Sequence, residues 1–494
     1  MIAIPQEFLV LTEKKYIRLE NNEQQFNSLI GLEALQGVEH IEIQSYTDQF
    51  YIQNLESQRD SLISFVLENQ FDEQIIQVDV SLFTQHIFSK LRRLTLFAIQ
   101  IDSYTFLNGL SNLYDIELQN IYCKQNNLPE CLGYLKQLHD ISINYCDNVY
   151  FSNLICLHEL HELENITIEG SNIIESLQGI QQLKNIKSLN IFEDFLNVDV
   201  TDIFKANKLK YVSIYVTNIT ISEVTIQNAC LSNLKICDNT YGNILNDQAN
   251  DQPNLYMNKL VNLKSLKQLE ISNWSLLHQD SIAQLSLLTS LTLCHIQQIN
   301  MSVIVKLLLL QKLVLKSVAN IENFNQIAQL LELKHLEMSN CQLSNENLQY
   351  ISQIKNLQSL TINFHQIGLQ LFKDFSDAQN LKKICIINEN ISCLKGLEAI
   401  EHLEELKVNY YQIPLTHDLP DNHSLKSPLF NDLYMLSSLI TQRKTKFSVQ
   451  EYTLVLNEQL QSTTEIVNQK QTILNRQISN LHNIIRNINI IGSE

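Results

Sequence analysis

The stretch His158-Glu159-Leu160-His161-Glu162 places two imidazoles and two carboxylates in close succession. These are zinc-ligand types. On a helix, however, two histidines share one metal when they stand at i and i+4. Here the second histidine comes at i+3, and Leu163 immediately opens an apolar motif, so a solvated turn is expected and not a metal centre. The pairs Cys123/Cys131 and Cys385/Cys393 lack a second pair at ligand spacing. Their thiols are expected to act as small apolar groups. Neither a Gly-rich phosphate loop nor a GxSxG nucleophile turn occurs. The chemistry-bearing residues therefore predict no enzyme, no cofactor and no metal.

The elements that carry these residues follow from composition and period. The chain has 494 residues, of which 45% are hydrophobic, with Gly at 10 and Pro at 6. It can bury an extended core and has little of the composition of a flexible linker. The abundant Asn and Gln read as surface filler. With 53 acids against 35 bases the formal charge is −18, which repels nucleic acid in the absence of a strong basic patch. Met1 to Glu7 lacks the basic start of a secretory leader. The most apolar stretch, Val303 to Leu315, is interrupted by Lys306, Gln311 and Lys312 and is too short to cross a bilayer. Ten scattered cysteines predict a reducing, cytoplasmic setting. No membrane and no nucleic-acid partner is expected.

One unit recurs along the chain: apolar, two residues, apolar, one residue, apolar. Leu138/Ile141/Ile143, Leu163/Ile166/Ile168, Ile186/Leu189/Ile191 and Leu209/Val212/Ile214 are consecutive copies. The weak first copy is Lys14/Ile17/Leu19 and the last is Leu403/Leu406/Val408. Between Val38 and Leu91 two candidates compete, Leu62/Phe65/Leu67 and Ile75/Val78/Val80. The first keeps the spacing nearer the rest, which gives about 17 copies over residues 14–413. The fourth and sixth positions lie two apart and so share one face of a strand. Later apolar residues come every third position, as in Leu177, Ile180, Leu183 and Ile186, a spacing that suits 3₁₀ or short helical turns. No such coil buries its apolar side alone, so coils must stack.

This pattern resembles the leucine-rich-repeat family, in its short intracellular class. The resemblance implies an α/β solenoid with parallel strands on a concave face and short helical or 3₁₀ returns on a convex one. In that family the ninth position is usually Asn or Cys, bonded to backbone at the corner. Asn22, Cys146, Asn239 and Cys341 fit, whereas Ile121, Trp274, Ile296 and Val318 depart from it. Corners of the second kind need another partner for their backbone groups.

The flanks break the period. Residues 1–13 are read as an N-terminal cap and 414–446 as a C-terminal cap or linker. One over-long spacing places an insertion near 238–253. Leu460, Val467, Leu474, Leu481 and Ile488 recur every seven residues after a Ser448/Glu451 capping pattern. This predicts a long helix over 447–491, forming a coiled coil and a route to self-association.

In each strand the third, fifth and seventh positions face away from the core. Phe97, Phe192 and Tyr215 fall in the seventh column and Tyr211 in the third, with Glu193 and Tyr145 nearby; Tyr145, Phe192, Glu193, Tyr211 and Tyr215 are the candidate protein-binding residues. Lys187, Lys210, Lys267, Lys334 and Lys382 form a basic column at the second position, with Lys312 and Lys383 at the third. It reads as a solvated rim, or else as a surface for an acidic partner. The expected function is a scaffold or adaptor that binds protein on its concave face. The alternatives are a regulatory subunit of an enzyme such as a protein phosphatase, and a cytoskeletal or ciliary structural component.

Overall fold

The structure is a computed structural model. It describes residues 3–4, most of 15–410, and 446–450. Outside it lie, among shorter stretches, 5–14, 70–75, 221–228, 239–259, 273–278, 365–374, 389–399, 411–445 and 451–494. The chain divides into two compact units, Met1–Leu266 and Lys267–Glu494.

Each copy of the apolar motif becomes one parallel strand. In the first unit these run from Tyr16–Asn21 and His40–Ser45 to Tyr211–Val216 and Asn233–Asp238, each hydrogen-bonded to the next in chain order. In the second they run from Gln268–Ser272 through Glu405–Tyr410 to Lys446–Gln450. Register matches repeat position to repeat position: Ile166 pairs with Leu189, and Leu189 with Val212. Leu163, Ile186 and Leu209 are all fully buried. Each such side chain contributes about 1.5–3 kcal/mol of burial, so the period persists because every coil needs its neighbours. Ser64–Asn69 is the copy that enters this sheet, with Phe65 and Leu67 inward. Its competitor Ile76–Val78 pairs instead in a smaller sheet with Gln49–Phe50 and Ile99–Ile101.

The returns are short. Leu177, Ile180 and Leu183, three apart, are buried around the 3₁₀ turn Ile180–Gln182, as the threefold period of such turns requires. The longest described helix, Asn345–Ser352, begins at a reciprocal capping box between Ser344 and Asn347.

Two corner types answer the question left by the apolar ninth positions. After five-residue strands the eighth residue is left-handed: Ala98, Asn120, Tyr145, His295, Ser317 and Asn340 all have φ between 52° and 54°. Its N–H then donates to the following coil, as in Asn120 to Asn144 O (2.8 Å), Tyr145 to Glu169 O (2.6 Å) and His295 to Lys316 O (2.7 Å). The ninth residue is free to turn inward as Ile121, Ile296 or Val318, or as Cys146 and Cys341, whose thiols bond to Leu118 O and Leu315 O. After several six-residue strands the eighth residue itself points inward, as with Ser45, Asn69 and Glu193.

The asparagines are more than surface filler. Those just before the first motif position clip one coil to the one before it. Asn112, Asn185, Asn356 and Asn380 donate from Nδ2 to Ser89 O, His161 O, Leu331 O and Lys355 O, at 2.6–2.8 Å. Gln58 does likewise from inside the core, donating to Leu32 O and Leu35 O while accepting from Val38 N–H.

The helix expected from 447 does not begin there. Lys446–Gln450 is a further strand, with Phe447 and Val449 in register with Leu406 and Val408. Its alternation of polar and apolar residues is strand-like, and Lys444 stands at the first motif position, as Lys14 does in the first copy. The heptads beyond 450, nearly all of the expected cap over 1–13, the linker up to 445 and the insertion after Asp238 lie outside the described residues.

Candidate protein-binding face

Strand alternation turns every second side chain away from the core, and register sets equivalent positions side by side at about 4.8 Å. The seventh-position row of the first unit reads Phe97, Gln119, Asn144, Glu169, Phe192, Tyr215. Phe192 and Tyr215 stack with ring centroids 4.7 Å apart and planes at 24°. Lys235 on the next strand holds its ammonium 4.9 Å from the Tyr215 ring centroid. That is a cation–π contact. On the other side of Phe192, Glu169 accepts the hydroxyl of Tyr145. Tyr145 is 52% exposed and occupies the left-handed corner after its strand. Tyr211, 51% exposed, starts the strand that carries Tyr215 and lies between Ser188 and Asn233.

Four expected residues are therefore brought onto one outward surface, though Tyr145 sits at a corner and not within a strand. Glu193 is a correction. It is buried at 1% exposure, and its carboxylate accepts N–H bonds from Ile173 and Ile174 of the preceding coil, at 3.1–3.3 Å. In a six-residue strand, inward positions four and six continue to position eight, so Glu193 faces the core. It supports the strand end next to Phe192 and does not contact solvent. Glu169 and Lys235 were missing from the sequence-derived set. Both could have been found by reading the neighbouring repeats at the same and adjacent positions.

Phe97 shares the row but stands four strands from Phe192, about 19 Å away. Between the two, the third-position row carries Asp115 and Asp140. Asp115 takes the Arg93 guanidinium at 2.8 Å, and Asp140 accepts from Asn165. Burial pushes the Asp115 carboxyl up, with Arg93 pulling it back and Asp140 adding to the rise. A hollow of about 350 Å³ lies elsewhere in the first unit, lined by Tyr51, Asp79 and Asp102 among others. Its carboxylates are engaged, Asp79 by Ser81 N–H and Asp102 by Lys124.

The residues first weighed for chemistry are held in structural roles. His158 and His161 lie on the return after the 3₁₀ turn Ile155–Leu157. His158 meets Ile155 O at 2.8 Å and Glu159 at 3.0 Å. Cys123 and Cys131 are buried, and burial raises the Cys131 thiol to about 11. Cys393 is outside the described residues. Among the described residues, no group of three or more His, Cys, Asp or Glu is placed to share a metal. Among them also, no helix is long and apolar enough to cross a membrane.

No protein-family model matches the sequence, and no curated protein does. Solved structures do. A leucine-rich-repeat protein from Leptospira interrogans is 19% identical, with 74% of this chain and 87% of that one covered and a TM-score of 0.50. An internalin from Listeria monocytogenes is 17% identical over 77% of this chain and 88% of its own, with a TM-score of 0.44. The ectodomain of a plant receptor kinase from Arabidopsis thaliana, solved with casparian strip integrity factor 2, is 16% identical. It covers 87% of this chain and 52% of its own, with a TM-score of 0.42. Stacked strand-and-return coils with an apolar motif at each strand, together with the first of these likenesses, give the chain a leucine-rich-repeat fold.

Proposed function

We propose that the chain is a protein-binding scaffold whose partner docks on the outward strand face of the first unit, read as a concave face. The observation that carries this reading is an aromatic set turned away from the core, its two stacked rings half-buried and its two flanking tyrosines exposed. Phe192 and Tyr215 stack on the surface, with Tyr145 and Tyr211 each more than half exposed beside them. Aromatic rings in contact with water have no role in the core and are frequent interface anchors. They rest on a preformed ladder, so binding orders few side chains. Glu169 and Lys235 hold two of the rings from either side and offer a charge of each sign to a partner's polar rim.

The reading also places the chain in the cytoplasm, where its thiols stay reduced, and gives residues beyond 450 a role in self-association. Cell fractionation tests the first, and sedimentation of the chain with and without 451–494 tests the second. The central test is a partner recovered by proximity labelling and then titrated against purified protein. Phe192→Ala with Tyr215→Ala should weaken binding by about thirtyfold or more, the loss expected of a single hot-spot residue. Unchanged affinity in a double variant with wild-type thermal stability overturns the reading.

A further inference from the structure

The second unit presents a face of different chemistry. Its third-position row reads Lys312, His335, Ser359, Lys383 on four consecutive strands, and Lys334 directly precedes His335. Lys383 is matched by Glu405 at 2.8 Å, Lys382 by Glu404 at 2.7 Å and Lys316 by Glu337 at 2.9 Å. Among the described residues, Lys312 and Lys334 have no carboxylate within ion-pair distance. In the first unit the corresponding row is mixed: Arg93, Asp115, Asp140, Asn165 and Ser188 follow one another, and Arg93 is neutralised by Asp115. An unneutralised pair of lysines flanking a histidine stands out in a chain of formal charge −18.

We propose that the row Lys312–His335–Ser359–Lys383, with Lys334 at its edge, is a docking surface for an acidic polypeptide segment. The proposal is separate from the aromatic face and does not depend on it. Charge complementarity selects the occupant, and spacing selects its form. Lys312 and Lys383 are three strands apart, about 14 Å. An extended chain rises about 3.4 Å per residue, so carboxylates at i and i+4 of a peptide crossing the strands reach both ends, and one at i+2 lies over His335 and Ser359. An alternating acidic segment fits this surface. A nucleic acid fits it less well: it presents a phosphate at every backbone step and cannot avoid Glu337 and Glu405, whereas an alternating segment can set its uncharged side chains toward them.

His335 adds a pH response. Burial holds its imidazole below the ordinary range, and Lys312, Lys334 and Lys383 press it further down. Lys312 faces it from the preceding strand, the uncharged Ser359 from the following one, and Lys334 and Glu337 come from its own segment. A bound carboxylate reverses that field and favours the protonated ring.

The test is a fluorescence-anisotropy titration of the full chain with a labelled alternating Glu-Ser peptide of about twelve residues, at low salt where surface charges are least screened. The peptide is expected to bind, to weaken as salt rises, and to bind more tightly at about pH 6 than at about pH 8. Lys312→Gln with Lys334→Gln should weaken it about tenfold or more, and His335→Gln should remove the pH dependence. Phe192→Ala with Tyr215→Ala should leave it unchanged, which separates this surface from the aromatic one. No binding, wild-type affinity in the double lysine variant, or equal affinity for an oligodeoxynucleotide of the same charge overturns the proposal. All the substituted lysines are at the surface, and circular dichroism verifies the fold of each variant.

Discussion

Replacing Glu193 with Ala removes the acceptor of two buried N–H groups without touching the apolar motif. The Ile173 amide donates to Glu193 Oε1 at 3.1 Å and to Oε2 at 3.3 Å, and the Ile174 amide donates to Oε1 at 3.3 Å. A buried donor stripped of its partner costs about 1–3 kcal/mol. Two of them, less the desolvation recovered when the carboxylate is removed, leave a net loss of about 3 kcal/mol. Glu193→Gln should cost less, about 1 kcal/mol, because the amide carbonyl can take the place of Oε1 and accept from both amides while losing only the charge. The assay is urea unfolding followed by far-ultraviolet circular dichroism. With a slope of about 3 kcal/mol/M, the Ala variant should unfold about 1 M earlier. Hydrogen exchange supplies the local readout: the amides of residues 173 and 174 should exchange faster in Glu193→Ala than in the parent. Equal midpoints for the parent and the Ala variant, or equal damage from Ala and Gln, refute the reasoning that these bonds hold the corner.

Tyr104 is fully buried and, among the described residues, its hydroxyl has no hydrogen-bond partner, so Tyr104→Phe should stabilise the fold by about 1 kcal/mol, read as a higher unfolding midpoint. His335 is held below its unfolded value, so the unfolded chain binds more protons as pH falls through the histidine range. Stability of the second unit should be greatest above that range and decline with acid, and His335→Gln should flatten the decline in thermal melts between about pH 5 and 7. Burial raises the thiols of Cys131 and Cys156 to about 11 and that of Cys146 to about 12, whereas Cys230 is exposed. Iodoacetamide on native protein should label Cys230 well before the buried Cys131 and Cys146 and the half-buried Cys156, as mass spectrometry of tryptic peptides would show, and equal labelling would contradict this ordering.

The stacking of coils was legible because it depends on side-chain volume at three positions per repeat, and volume is written in residue type. Leu189 and Ile191 announce an inward face whatever surrounds them. The corners were not legible, because they depend on strand length. One residue more or less decides whether the eighth side chain points in or the chain turns left-handed, and Tyr145 and Glu193 share that position with opposite fates. A carboxylate beside Phe192 reads as surface until the alternation Leu189, Ile191, Glu193 is followed to its end. The role of Asn185 was hidden for a related reason: its partner, His161 O, is backbone and leaves no mark in the sequence. Lys446–Gln450 was masked by the stronger heptad signal that follows it.

The left-handed corner at Tyr145 links two properties that are usually separate. Its φ of 52° is a conformation that costs a residue with a Cβ about 1 kcal/mol relative to glycine. Tyr145→Gly would relax that corner and erase the exposed ring together. On the binding face proposed above, a variant selected only for heat resistance would drift toward glycine there and lose that ring, while one selected for recognition keeps a tense joint. At this position durability and discrimination compete for a single side chain.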